Sequence, residues 1–166
     1  MKIITTIFLF LFSLSLLAQT SIESLVLVKV NQYRRSKGLE NVTFSDANFK
    51  SASHHTNYMV KNSVITHTED SLIDVSNRLK FYGSTFTNFG ENILLTNKNF
   101  KSNDSEMNDK IATEIVNIWK NSPEHNKILL DKRFKYVGTN TTLETKSVNI
   151  KNWLNVTIVS TLVMTN

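Results

Sequence analysis

Two histidines and a glutamate stand at places in the sequence where side chains could do chemistry. His125 lies two residues after Pro123, the only proline, and follows a helical pattern that ends at Trp119. The residue before a proline is pushed out of the helical region, so Ser122-Pro123 predicts a break. His125 is therefore expected either on a stiff turn, where site residues tend to sit, or as a histidine that only caps a short helix.

Two upstream stretches carry the other candidate groups. His67 ends the sequence SVITH, and Glu91 lies in the sequence FGENI. Neutral imidazoles suit zinc and similar cations, and a carboxylate can orient a ligand imidazole or a bound water. Spacing alone does not show that His67, Glu91 and His125 meet, because they are far apart along the chain.

Three motifs, taken together, resemble the CAP superfamily of cysteine-rich secretory, antigen 5 and pathogenesis-related proteins, in its short bacterial form. They are Thr66-His67 at the end of a loop, GENI at the start of a strand, and Trp119-x-x-Ser-Pro-x-His125 ahead of a Val-Gly strand. The resemblance implies one open cleft in which His67 and His125 bind a divalent metal, with zinc as the candidate ion. Glu91 would lie beside them.

The resemblance also places Ser122 and Asn92 with Glu91 in the lining of the cleft. Many eukaryotic members carry a second glutamate at the position of Ser122, and a hydroxyl cannot replace it as a carboxylate base. Asn92 is expected to satisfy backbone groups of a loop rather than to contact a ligand. Glu124 is expected to be solvated, so Glu91 is the one candidate catalytic residue if the site is hydrolytic.

Other catalytic templates are absent from the sequence. It contains no Gly-x-Ser-x-Gly elbow, no cysteine nucleophile, no His-Glu-x-x-His zinc helix and no glycine loop that could cradle a phosphate. The charges are scattered, without a stripe of Lys and Arg interleaved with aromatic residues, which gives little support to nucleic-acid binding.

Residues 1–19 are predicted to be a secretory signal peptide, and residues 20–166 a single domain. Lys2 precedes an apolar run that ends before Ala18, and the run is shorter than the ~20 residues that a membrane span needs. Lys2 is the only charged residue of this segment, so its removal lowers the net charge from +5 to +4. The protein is expected to be secreted or periplasmic, and the lack of cysteine points to a bacterial source within the resembled family.

The apolar periodicity predicts an α+β fold, a three-layer α-β-α sandwich with a small antiparallel sheet between helices. Helices are predicted from Thr20 to Gly38, after Ser45 or Asp46, from Asp70 to Gly83 and from about Asp109 to Asn121; strands are predicted over Phe89–Thr96, Tyr136–Leu143 and Leu154–Val163. The last strand is half apolar on its more polar face, which indicates helices on both faces of the sheet. Residues 98–109 are rich in Asn, Ser and Asp and are expected to form a mobile loop.

Two more side chains are assigned to structure. His55 lies among core positions of the second helix, where a histidine is more often a buried hydrogen-bonding group than a ligand. Arg78, on the third helix, is expected to pair with a nearby carboxylate in a partly exposed ion pair worth under ~1 kcal/mol.

Three hypotheses about function remain open. The first is a secreted binding module that holds a divalent metal and a small-molecule or lipid-like ligand, since the resembled family includes proteins linked to sterol and lipid binding. The second is a metal-dependent, peptidase-like hydrolase in which Glu91 acts beside a metal-bound water. The third makes the histidine-glutamate cluster a purely structural polar network. None of them involves nucleic acid or a membrane span after signal removal.

Overall fold

The structure, a computed structural model, describes residues 21–70 and 73–166. Its helices are α1 (Ile22–Ser36), α2 (Asp46–Asn62), α3 (Val75–Phe81), α4 (Met107–Asn121) and α5 (Pro123–Leu129), and its strands are β1 (Thr43–Phe44), β2 (Phe89–Lys101), β3 (Tyr136–Ser147) and β4 (Trp153–Thr165). The predicted signal peptide, residues 1–19, lies outside the described residues. No helix in the described ranges has the length and apolar character that crossing a membrane requires.

The strands form one sheet in the order β1-β3-β4-β2. β4 is the central strand and pairs antiparallel with both β2 and β3, whereas β1 pairs parallel with the start of β3. The predicted α-β-α sandwich is confirmed. The sheet is mixed rather than purely antiparallel, because β1 pairs parallel with β3. The sequence did not predict β1, since a strand of two residues is too short to show an alternating pattern.

Helices cover both faces of the sheet, as the pattern of β4 predicted. One face packs with α1 and α4 in the main apolar cluster, to which β4 contributes Val156, Ile158, Leu162 and Met164. The opposite face packs against α2 and α3, where Val159 lies with Met59 and Val163 with Ala52. The alternation of side chains along a strand explains this division.

The ends of the first two helices follow the capping residues in the sequence. Ser45 caps α2 with its side chain, and Gly38 adopts a positive φ of 73° after α1. The start of α1 differs from the prediction, because Ser21 is its N-cap. The predicted start, Thr20, lies outside the described residues.

The start of α3 was predicted wrongly. Its N-cap is Asp74, which accepts a hydrogen bond from the amide of Asn77, and not Asp70. Asp70 instead accepts a hydrogen bond from the hydroxyl of Tyr58 on α2. Both aspartates are good capping residues, so the local sequence could not separate them.

β2 is longer than predicted, because residues 98–101 of the expected loop continue the strand. Side chains bond across to β4: Asn155 donates to Asn99 at 3.0 Å and Thr157 donates to Asn97 at 2.6 Å. Asparagine has a low intrinsic preference for strands, but cross-strand partners override such preferences.

Pro123 separates two helices rather than a helix from a turn. It is the first residue of α5, a position where its missing N–H costs no hydrogen bond. His125 therefore lies in the first turn of a short helix, which is closer to the second of the two readings that the sequence left open. Ser122 joins α4 to α5.

The backbone of α2 crosses β3 at Gly138. A Cβ atom on Gly138 would lie 2.0 Å from the amide nitrogen of Phe49 and 2.3 Å from the carbonyl carbon of Asn48. Backbone atoms cannot move aside as a flexible side chain does, so only glycine allows this approach.

We expect Gly138→Ala to lower the free energy of unfolding by about 3 kcal/mol, because α2 has to move away from the sheet. Gly38→Ala is the control: its Cβ would meet nothing within 4 Å, so only the positive φ is strained, at a cost of ~1 kcal/mol. Urea denaturation of both variants measures the difference. Equal losses would contradict the close approach.

Candidate functional site

The carboxylate of Glu91 is the centre of the candidate site. Glu91 lies near the start of β2, and its side chain is 2% exposed. Its Oε1 accepts a hydrogen bond from His67 Nδ1 at 3.0 Å, and its Oε2 accepts one from the guanidinium of Arg78. A buried charge needs such partners, because an unpaired one is costly in the interior. Both oxygens of Glu91 are therefore engaged.

Arg78 is a buried cation between two carboxylates. Its side chain is 0% exposed, and its Nη1 lies 3.3 Å from Oε1 of Glu69 while its Nη2 bonds Glu91. The prediction of a partly exposed ion pair was therefore wrong. The physical reason is the packing of α3 on α2 through Leu79 and Ala52, which carries Arg78 into the interior.

His55 ties the loop that carries His67 to α2. Its ring is fully buried, its Nδ1 lies 2.9 Å from Oε1 of Glu69, and its Nε2 donates to the carbonyl of Thr66 at 2.6 Å. The predicted structural role is confirmed.

Sequence reasoning missed Glu69 and His54. His54 Nε2 lies 3.1 Å from Oε2 of Glu69, and its Nδ1 lies 2.9 Å from the hydroxyl of Tyr82. Glu69 thus holds His54, His55 and Arg78 with one carboxylate. A pair of adjacent histidines on a helix, followed by acidic residues in the next loop, was the available signal.

His125 approaches the site from α5. Its backbone carbonyl accepts a hydrogen bond from the side-chain amide of Asn92 at 3.1 Å, which is the backbone-satisfying role predicted for Asn92. Its Nδ1 is buried and has no hydrogen-bond partner. Burial lowers the pKa of His125, and the nearby His67 lowers that pKa further, so the neutral imidazole is favoured.

His67, Glu91 and His125 line the same open cavity, with a volume of about 320 Å³. Its walls also contain an apolar group, Phe89, Ile128 and Phe134, and a charged rim, Glu124, Lys127, Asp131 and Arg133. The side chain of His67 is 57% exposed, so the cavity opens to solvent on that side. Ser122 and Asn92 do not form part of its wall: Ser122 lies at the joint between α4 and α5, and Asn92 is buried beneath His125.

The loop after α5, which forms one wall of the cavity, is held by Arg34 of α1. The buried guanidinium of Arg34 donates to the carbonyls of Leu129 at 2.8 Å and Asp131 at 3.1 Å. Burial lowers the pKa of Arg34, and the carboxylate of Asp131 acts in the opposite direction. The sequence placed Arg34 in the opening helix without a role; its bonds to carbonyls far along the chain leave no local pattern.

These residues fit a cation held by two protein ligands. Glu91 engages Nδ1 of His67, which leaves Nε2 for a ligand, as when a carboxylate orients a metal-binding imidazole. His125 is half-buried, and its Nδ1 is buried without a hydrogen-bond partner, which leaves its Nε2 as the second candidate nitrogen for a ligand. Across residues 21–70 and 73–166 no group of three or more His, Cys, Asp or Glu could hold a metal ion. A bound ion would therefore keep several coordination positions open.

The fold and the cleft together define a class of protein, the CAP or SCP domain. The sequence profile described as the Cysteine-rich secretory protein family matches residues 27–154. The chain therefore belongs to the CAP family. No curated protein sequence is similar enough to count as a relative.

Several bacterial proteins of known structure share this fold. An extracellular protein containing a SCP domain from Bacillus anthracis superposes with a TM-score of 0.60 at 20% identity, over 83% of this chain and 40% of that one. An outer surface protein from Borrelia burgdorferi gives a TM-score of 0.56 at 18% identity, over 86% and 91%. A cysteine-rich secretory protein from Staphylococcus aureus gives 0.56 at 17% identity, over 87% and 38%. This chain thus corresponds to well under half of the Bacillus and Staphylococcus proteins.

We expect Arg78→Met to destabilise the protein by about 3–5 kcal/mol, because the carboxylates of Glu69 and Glu91 then lose their shared buried cation. Arg133→Met is the matched control, since Arg133 forms its ion pair with Asp131 in solvent, 59% exposed, and its loss should change stability little. Thermal and urea denaturation of the two variants measure the difference. A similar small effect for both would show that the Arg78 pairs contribute little.

Proposed function

We propose that this CAP domain is a secreted binding module whose cleft holds a divalent metal ion through His67 and His125. The observation that carries the proposal is that both imidazoles line one open cavity while Glu91 bonds Nδ1 of His67. That bond fixes the ring and leaves Nε2 as the nitrogen that is free to bind an ion. The lowered pKa of His125 favours the neutral form that metals bind.

A location outside the cytoplasm is supported by the family and by the amino-terminal sequence. The family is described as secretory, and the Bacillus structure is described as extracellular. Lys2 followed by an apolar run is the pattern of an export signal. We propose a secreted or periplasmic protein that relies on its apolar core, since it has no cysteine.

The open coordination positions of the proposed ion would accept water or a small ligand. The cavity supports this proposal with one apolar wall, which includes Phe89 and Phe134, and with the cation of Lys127 at its rim. Its volume is at the lower end of that of small-molecule pockets. We therefore propose a small molecule, or one end of a lipid-like molecule, as the ligand.

The hydrolase alternative receives less support from the geometry. A general base needs a free oxygen within reach of the attacking water. Glu91 is nearly inaccessible, and both of its oxygens bond other side chains, His67 and Arg78. Its arrangement suits orientation of His67 better than proton abstraction, so the binding module is the proposal we prefer.

Zinc titration tests the metal proposal. We expect the chain without residues 1–19 to bind one zinc ion in isothermal titration calorimetry, and the double variant His67→Ala, His125→Ala to lose this binding. Glu91→Gln should weaken it about tenfold, because the carboxylate no longer orients His67.

His54→Ala is the matched control for the loss of a histidine, since His54 bonds Glu69 and does not line the cavity. It should bind zinc as the unaltered chain does. If zinc binding survives in the double variant, the ion lies elsewhere. If no zinc binds and His67→Ala only lowers the melting temperature, the cluster is structural and the proposal fails.

A further inference from the structure

The outer edge of β3 is open along most of its length. Within the described residues only β1 pairs with it, at Tyr136 and Val137. The amide of Ser45 donates to the carbonyl of Val137, and the amide of Thr141 donates to the carboxylate of Glu23 at 3.2 Å. Both contacts show that odd-numbered residues of β3 direct their backbone groups away from β4.

This alternation continues toward the β3–β4 turn. In a strand every second residue points its N–H and C=O to the same side. Leu143, Thr145 and Ser147 therefore present donors and acceptors to the outside, and no strand in the described ranges pairs with them. An unprotected row of this kind is a template for another strand.

The opposite edge of the sheet, β2, is better covered. Asn92 bonds the carbonyl of His125 on α5, and the indole of Trp119 on α4 donates to the carbonyl of Ile93 at 3.4 Å. Farther along, Lys98 pairs with Glu114 of α4 at 3.0 Å. These contacts hold α4 and α5 against β2, whereas in the described residues no helix side chain bonds the backbone of β3 beyond Thr141.

We infer that two copies of this chain pair through their β3 edges, antiparallel about Thr145. In this register Glu144 lies opposite Lys146 of the second copy, and Lys146 opposite Glu144. Both side chains are exposed in the single chain and lie on the same face of the sheet. A two-fold axis repeats the attraction, which is the self-complementary surface that a symmetric dimer requires.

An apolar contact is in register with the charge pairs. Ile150, in the turn after β3, is 63% exposed. β3 ends at Ser147, so the pairing places the turn that carries Ile150 beside the part of β3 that precedes Leu143 in the second copy. A cavity of about 460 Å³ lies there, and its lining includes Leu27, Phe44 and Phe49. Burial of Ile150 against the second copy would add to the edge pairing.

Analytical ultracentrifugation of the chain without residues 1–19, with chelator present, tests the dimer independently of the metal cleft. We expect a mass that rises from monomer to dimer with concentration. Glu144→Lys and Lys146→Glu each place like charges opposite one another, so each should weaken dimerisation roughly tenfold or more. An equimolar mixture of the two variants should restore a dimer, because one copy then carries lysine at both positions and the other copy carries glutamate at both.

Two further variants examine the backbone and the turn. Thr145→Pro should abolish the dimer but leave the fold intact, because the N–H of Thr145 is not used within one copy. Far-ultraviolet circular dichroism should therefore be unchanged. Ile150→Ser should weaken the dimer, whereas Ile65→Ser, a similarly exposed isoleucine on the loop after α2, should not. A monomer at all concentrations, or a dimer that is unaffected by Thr145→Pro and the charge variants, would overturn the inference.

Discussion

The buried carboxylate of Glu91 is the constraint on which the cleft depends. Removing a charge from water is costly unless a counter-charge and hydrogen bonds replace the solvent. Arg78 supplies the counter-charge and His67 the remaining bond, so one side chain joins β2, α3 and the loop before α3. The orientation of the exposed imidazole of His67 is thus set by its hydrogen bond to the buried carboxylate of Glu91.

The two histidines of the cleft are held by different means. His67 lies on the loop after α2. Thr66 and Glu69 of this loop bond the fully buried His55, which keeps the loop against α2. His125 lies on a helix whose following loop is bound by Arg34, and whose backbone is bound by Asn92. Glu91 and Asn92 are neighbours on β2 and bond His67 and the backbone of His125, which is why side chains far apart in the sequence line one cavity.

Local patterns in the sequence predicted what local physics decides. Ser45 and Gly38 mark helix ends, and the alternation in β4 separates the two faces of the sheet. The family motifs predicted His67, Glu91 and His125. The sequence could not show that Arg78 lies between two carboxylates, or that β2 extends through its asparagines, because those features depend on partners remote along the chain. The prediction of Asp70 as the cap of α3, where the structure has Asp74, failed for the same reason, because Asp70 bonds Tyr58 of α2 instead.

The two faces of the sheet are packed by different kinds of side chain. The side of α1 and α4 is an apolar cluster around Trp119, whose burial supplies most of the driving force for folding. The side of α2 is largely polar: Thr56 donates to Thr161 at 2.9 Å beneath the helix, next to the charged cluster. Polar bonds contribute less net stability than apolar burial, but they demand fixed geometry. The polar side can therefore hold the site in one arrangement, because the apolar side contributes much of the stability of the fold.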